Sequence, residues 1–254
     1  MATLEVTHHG SIAEVLINRP EKKNALEDAD FVFFTKIARD LAAGAARCIV
    51  IRGAAGTFCS GRDIAATNVL STDAQTLITE QINPLFLALR AIPIPTIAVV
   101  EGHCLGGGFG IAFACDIILA TEEARFGSPF RNIGCLPDSG AHFHLADRIG
   151  YHRACELLFT GRLISGREAA DVGLINRAYP SDQLSLAAQE MASLIATGPT
   201  VAFRMSKKIL QEQPSFQAVL EAEAIGQREI FKTSDAVEGL TAFQQKRKPT
   251  FSGA

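Results

Sequence analysis

The chain has 254 residues, 48% of them hydrophobic and 20% charged, with a net charge of −3. That is enough chain for a substantial buried core, and the slightly acidic balance excludes nucleic acid or an anionic membrane surface as the main partner. No apolar run reaches the ~18 residues of a membrane-spanning helix, the start MATLEVTHHG lacks a signal-peptide pattern, and the six cysteines (48, 59, 104, 115, 135, 155) form no CxxC, so a cytoplasmic protein with reduced thiols is expected.

In chain order, residues 4–8 and 11–17 read as two strands of a hairpin around Gly10. A polar loop, Asn18-Arg19-Pro20 to Asn24-Ala25-Leu26, precedes a helix over 27–43 with Phe31, Phe34, Ile37, Ala38 and Leu41 on one face. Residues 48–53 read as a buried strand, 58–64 as a glycine-bearing loop, and 73–91 as a helix halted by Ile92-Pro93-Ile94-Pro95. The β-branched run Ile97-Ala98-Val99-Val100 is a further strand, followed by Gly106-Gly107-Gly108 and a buried helix to Asp116. Another strand follows at 117–120, then a turn-rich loop over 126–140, then helices near 141–148 and 151–159. Ser165 and Glu168 form a capping box for a short helix stopped by Gly173, with a strand-like exit at 174–177. The last third, about 182–246, is all helical. The pattern predicts an α/β core over 1–195 and a helical region over 196–254, an appendage of a kind that often docks on a neighbouring subunit or covers a pocket.

Three glycines at the start of a helix let a ligand sit directly on main-chain N–H groups, at the end where the dipole favours negative charge. No GxxxxGK[ST] is present and GGGFG lacks the GxGxxG spacing, so an oxyanion site is a better reading than a phosphate loop.

Several stretches together resemble one family: Asn18-Arg19-Pro20 with Asn24-Ala25-Leu26; Phe58-Cys59-Ser60-Gly61-Arg62-Asp63-Ile64; Pro95 through Gly102 with Gly106-Gly107-Gly108; Cys115-Asp116; Phe126-Gly127; Gly134 with Pro137; and Glu238-Gly239 through Phe251. In that order, across nearly the whole chain, they resemble the crotonase, or enoyl-CoA hydratase/isomerase, superfamily. The resemblance implies a spiral of ββα units, C-terminal helices that pack homotrimers or dimers of trimers, an acyl-CoA thioester as ligand, and neither metal nor redox cofactor. By position, the thioester oxygen would be held by the backbone N–H groups of Arg62 and Gly107. Fixed donors to a developing oxyanion are each worth roughly 3 kcal/mol. The candidates for contact with the substrate or its CoA are Lys22, Asp63, Ile64, Gly106 and Phe130. Lys22 and Lys23 lie where family members approach the CoA nucleotide and suit its phosphates, each reading equally as a solvated loop lysine, and Asp63 either fixes its loop or lies near the CoA.

Hydratases of this family carry two glutamates, one four residues after the first glycine of the run and one directly after the proline of FGxP. Here those positions are Gly110 and Phe130, neither of which can move a proton. Asp138, in Leu136-Pro137-Asp138-Ser139-Gly140, resembles instead the single acid of family isomerases, and an apolar pocket would raise its pKa toward the working range. A plain turn role is the alternative, because Pro-Asp-Ser-Gly is favourable turn chemistry by itself. The expected activity is therefore a Δ3,Δ2-enoyl-CoA isomerase working through Asp138. The alternatives are an atypical hydratase, another crotonase reaction such as ring-epoxide isomerisation or thioester hydrolysis, and a non-catalytic CoA-binding scaffold. Asp116 reads as a structural cap, Glu101 as solvated or paired, and His103 as a hydrogen-bonded buried histidine. His142 and His144 read as surface or pocket-wall residues, because their spacing points them apart on a helix.

Overall fold

The computed structural model of the protein describes residues 2–254 except 66, 69, 70, 213 and 214. β1 (Leu4–His9) and β2 (Ile12–Ile17) pair antiparallel around Gly10, whose φ of +61° suits a tight hairpin. Along β2, Ala13, Val15 and Ile17 point inward and are fully buried. α1 (Asp28–Ala43) begins at a capping box, with Glu27 N–H donating to Asp30 Oδ2 at 2.8 Å, and buries the predicted stripe of Phe31, Phe34, Ile37, Ala38 and Leu41.

β3 (Cys48–Gly53) follows, and then α2 (Ala74–Leu77) and α3 (Asn83–Arg90) with a π turn over Ile78–Ile82 between them. The sequence suggests one helix over 73–91, but Pro84 has no N–H to continue the regular ladder, and the Asn83 N–H instead reaches back five residues to Ile78 O. Next come β4 (Thr96–Val100), β5 (His103–Leu105) and α4 (Gly107–Ala114), every residue of which is buried, then β6 (Ile117–Thr121) and β7 (Arg125–Gly127). The stretch over 126–140, read as loop, thus opens with the last two residues of a strand and contains a 3-10 turn at Pro129–Ile133. α5 (Ala141–Ile149), α6 (Tyr151–Thr160), β8 (Ile164–Ser165), α7 (Gly166–Asp171) and β9 (Arg177–Tyr179) complete the sheet-forming part. Half of the expected capping box of α7 forms: Ser165 Oγ accepts from Glu168 N–H at 3.0 Å, while the Glu168 carboxylate turns to Arg162 instead of the Ser165 N–H. α8 (Leu184–Ala196), α9 (Thr200–Glu212), α10 (Phe216–Ile230) and α11 (Ser234–Gln244) form the helical last third.

Among the described residues the larger sheet runs β1-β2-β3-β4-β6-β9, parallel beyond the first pair, and the smaller runs β5-β7-β8. A bridge from Cys59 to Cys104 extends the smaller sheet by one position. Each turn of the chain therefore lays one strand in the large sheet, one extended piece in the small sheet, and then a helix. β3 with Cys59, β4 with β5, and β6 with β7 repeat this, which is the spiral of ββα units that the resemblance implies. Alternate residues of the large sheet serve two cores. Ile49, Ile51, Ala98, Val100, Ile118 and Ala120 face inward, toward α1, α3 and α4, while Cys48, Val50, Ile97, Val99 and Leu119 face outward under Leu184, Ala188, Ala192 and Ala196 of α8.

Candidate active site

The N-terminal end of α4 lies against the loop 59–62 so closely that side chains are excluded on both sides. A carbon on Gly61, whose φ is +100°, would fall 2.8 Å from Leu105 O and 3.2 Å from Gly107 N, and one on Gly108 would fall 2.2 Å from Cys59 O. The loop is held by main-chain bonds: Cys59 N–H to His103 O at 2.8 Å and Leu105 N–H to Cys59 O at 3.0 Å. On its other edge Leu26 N–H donates to Gly61 O at 2.9 Å and Asp63 N–H donates to Leu26 O at 2.8 Å. That parallel pairing uses the groups flanking Arg62 and turns the Arg62 N–H away from Leu26.

The freed N–H faces α4. A carbon on Gly107 would stand 3.7 Å from Arg62 N, and neither the Arg62 nor the Gly107 N–H has an acceptor among the described residues. Two open main-chain donors thus sit side by side at a helix N-terminus, where the dipole adds partial positive charge. The Arg62 side chain leaves this spot clear. Its guanidinium forks onto Asp28, at 2.5 and 2.9 Å, and donates to Thr67 Oγ1 at 3.1 Å. The Phe130 ring lies over Gly106, whose added carbon would meet it at 3.3 Å, and the Phe31 ring lies 3.1 Å from the corresponding point on Gly107. The donors are therefore framed by two aromatic rings.

Gly110 is one turn further along α4, ~4.5 Å from Gly107 by helix rise. It does more than lack a carboxylate: a carbon there would lie 2.6 Å from Ser139 O, 2.7 Å from Ser139 Cβ and 2.7 Å from Phe86 Cε1. The Asp138–Gly140 turn occupies the space that a side chain at 110 would need. Ser139 is left-handed with φ +57°, an unusual backbone for serine, and Gly140 follows at +79°. Ser139 Oγ donates to Asp138 Oδ1 at 2.7 Å, and Ala141 N–H caps onto Asp138 O at 3.1 Å, so the acid is fixed at the threshold of α5. Burial pushes the Asp138 carboxyl above the ordinary carboxylate range, against the Ser139 hydrogen bond and the Arg62 charge, which pull it down. Sequence reasoning named Asp138 but missed Ser139 as its partner; the adjacency in PDSG was the available signal.

The remaining candidates are spread more widely. Ser60 N–H donates to Lys23 O at 3.1 Å and Ser60 Oγ to Lys22 O at 3.3 Å, which puts both exposed lysines beside the 59–62 loop. Burial, Lys23 and Arg125 hold the His103 imidazole below its ordinary pKa. Asp63 ties its own loop, pairing with Arg19 at 3.2 Å and accepting from Ala65 N–H at 3.2 Å. Ile64 is 48% exposed just beyond it. Asn24, fully buried and left-handed, anchors this entry loop by donating to Ala54 O and Thr57 O and accepting from Arg19 N–H. Asp116 is structural as expected: its Oδ2 accepts from Thr96 N–H at 2.8 Å, Thr96 Oγ1 at 2.9 Å and Lys207 Nζ at 2.6 Å. His142 is exposed on α5, while His144 is buried there.

Residues 7–254 match the family described as enoyl-CoA hydratase/isomerase. A protein of Arabidopsis thaliana named probable enoyl-CoA hydratase 2, mitochondrial, is 34% identical over 95% of this chain and 82% of its own length. The 2,3-dehydroadipyl-CoA hydratase of Escherichia coli is 31% identical over 100% of both chains. The crystal structure of an enoyl-CoA hydratase from Bacillus anthracis superposes with a TM-score of 0.93 at 29% identity, covering 100% of both chains. The glycine-framed pair of main-chain donors therefore sits in a chain that belongs to the enoyl-CoA hydratase/isomerase family, of crotonase fold, whose members act on CoA thioesters.

Proposed function

We propose that the protein is a Δ3,Δ2-enoyl-CoA isomerase in which Asp138 is the only proton-transferring side chain. The observation that carries this is the Asp138–Ser139 turn packed into the space above Gly110, with Phe130 at the second hydratase position. The thioester oxygen accepts from the Arg62 and Gly107 N–H groups. The Asp138 carboxylate removes a proton from C2 of a 3-enoyl thioester, charge moves onto the held oxygen, and the same group returns the proton at C4. The double bond shifts and the atom count is unchanged. Fixed donors in a dry site stabilise the dienolate by roughly 3 kcal/mol each, and a positioned acid/base contributes ~10²–10⁴-fold. A pKa raised by burial suits this task, because the group must both take and give back a proton. Neither Gly110 nor Phe130 offers a second carboxylate to activate water.

Lys22 and Lys23 are assigned to the CoA phosphates, and Phe130, Gly106 and Ile64 to the thioester and its acyl chain. Exposed Phe216, Leu220 and Ile225 on α10, Phe231 at its C-cap, and Leu240 and Phe243 on α11 support a homotrimer or dimer of trimers built through residues 196–254. The test is incubation with a panel of trans-3-enoyl-CoA thioesters. The expected product is the conjugated 2-enoyl thioester at unchanged mass. Gain of one water from a 2-enoyl-CoA, at a rate matching or exceeding the isomerisation, would overturn the assignment. Hydration by Asp138 alone is the second reading, favoured by the names of the Arabidopsis and E. coli relatives.

A further inference from the structure

At the opposite end of α4 from the glycines lies a cavity of about 420 Å³, lined by Arg90, Arg148, Lys207, Phe113, Phe203 and Leu210 among others. Its volume is that of a small-ligand site. Its charge is not balanced from within. Lys207 is committed to Asp116 at 2.6 Å and to Ile94 O at 3.2 Å, and that carboxylate already accepts from Thr96 as well. Arg90 and Arg148 have no ion pair and donate no hydrogen bond among the described residues. Each guanidinium instead lies over a phenylalanine face, Arg148 at 4.8 Å from the Phe113 centroid and Arg90 at 5.3 Å from that of Phe143.

Arg148 is the more revealing of the two. Its Nη1 is shut off from water and has no acceptor among the described residues. Burial and the Arg90 charge lower its pKa, and Asp147 and Cys115 oppose them. An arginine cannot escape such a place by losing its proton, so an uncompensated charge and an unmade hydrogen bond persist, a costly combination in a folded protein. Two forked cations beside apolar Phe113, Phe203 and Leu210 describe a binding site for a group with a planar anionic head and a short apolar body.

We propose that this cavity binds a small amphipathic carboxylate, held by Arg148 and Arg90 at its head and by the phenylalanine and leucine walls at its tail. The site is separate from the candidate catalytic pocket and stands whether or not the isomerase assignment does.

The probes are hexanoate, inorganic phosphate and 1-hexanol, followed by thermal melting and isothermal calorimetry of the wild type, Arg148→Met and Arg90→Met. Methionine keeps the stacked, apolar stem and removes the charge. Hexanoate should raise the wild-type Tm by about 4 °C at ~10 times its Kd, with one site per chain, and this shift should fall at least ~10-fold in affinity in both variants. Without ligand, Arg148→Met should melt no lower than wild type, because it removes an unpaired buried charge. Three results would overturn the proposal: no saturable hexanoate binding, equal binding by both variants, or equal binding of phosphate or hexanol. A change of subunit count in Arg148→Met would also overturn it, by showing that an acid from a second copy fills the site.

Discussion

The two ends of α4 solve opposite problems. At its start, backbone is left unsatisfied: Gly107 and Arg62 present N–H groups without acceptors among the described residues, and glycines at 61 and 108 let two main chains touch. At its end one polar group is saturated: Asp116 takes three hydrogen bonds and ties β4, the α4 terminus and α9 together. A binding end must hold its donors open for a substrate, so rigidity has to come from elsewhere. The Asp116–Thr96–Lys207 lock and the wholly buried length of α4 supply it.

Four substitutions sharpen the contrast. Gly110→Glu, which restores a hydratase acid, should be the most damaging, because its first carbon would overlap Ser139 and Phe86 by contacts of 2.6–2.7 Å. Overpacking plus a buried carboxylate should cost at least about 4 kcal/mol, read as insoluble protein or a much lower Tm, with no gain of hydration. If instead it folds and hydrates 2-enoyl-CoA, the turn does not fill that space. Asp116→Asn leaves the nearly buried Lys207 ammonium without its counter-charge and should cost about 3 kcal/mol in urea unfolding, while kcat of the folded fraction stays within ~2-fold.

A third test uses acid. Burial, with Arg148 and Arg90 nearby, drops the His144 imidazole from 6.5 to about 4, so it is neutral in the fold at pH 7. The unfolded chain takes up that proton first as pH falls below 6.5, so stability should be full above that value and decline toward pH 4. A shift of this size corresponds to about 3 kcal/mol, and His144→Phe should flatten the acid limb of stability by that amount. Ser139→Ala is the smallest change. It removes the hydrogen bond that pulls Asp138 down, so the acid limb of kcat/KM should move to higher pH with the fold intact. An unmoved limb would assign the titration to another group.

Much of this was readable in the sequence. The hairpin, the Phe31-Phe34-Ile37-Ala38-Leu41 stripe and the glycine run before a buried helix all follow from periodicity and backbone freedom. The short strands β5, β7 and β8 were not readable, because two or three residues carry no period, and their pairing is decided by neighbours far away in sequence. The π turn before Pro84 was foreshadowed by that proline and overlooked. In the site, single residues could be named but not their mutual exclusion. Nothing in the sequence says that Gly110 is small because Ser139 leans on it, or that the Arg62 side chain turns away to Asp28 while its N–H faces α4.

The central claim is that one carboxylate carries the proton, and Asp138→Asn tests it most directly. The asparagine keeps the size and can still accept from Ser139, so the turn should survive. Conversion of trans-3-enoyl-CoA by this variant should fall by ~10³-fold in kcat, with CoA-thioester affinity and Tm little changed. Conversion within a few-fold of wild type would contradict it and assign the proton transfer to another group.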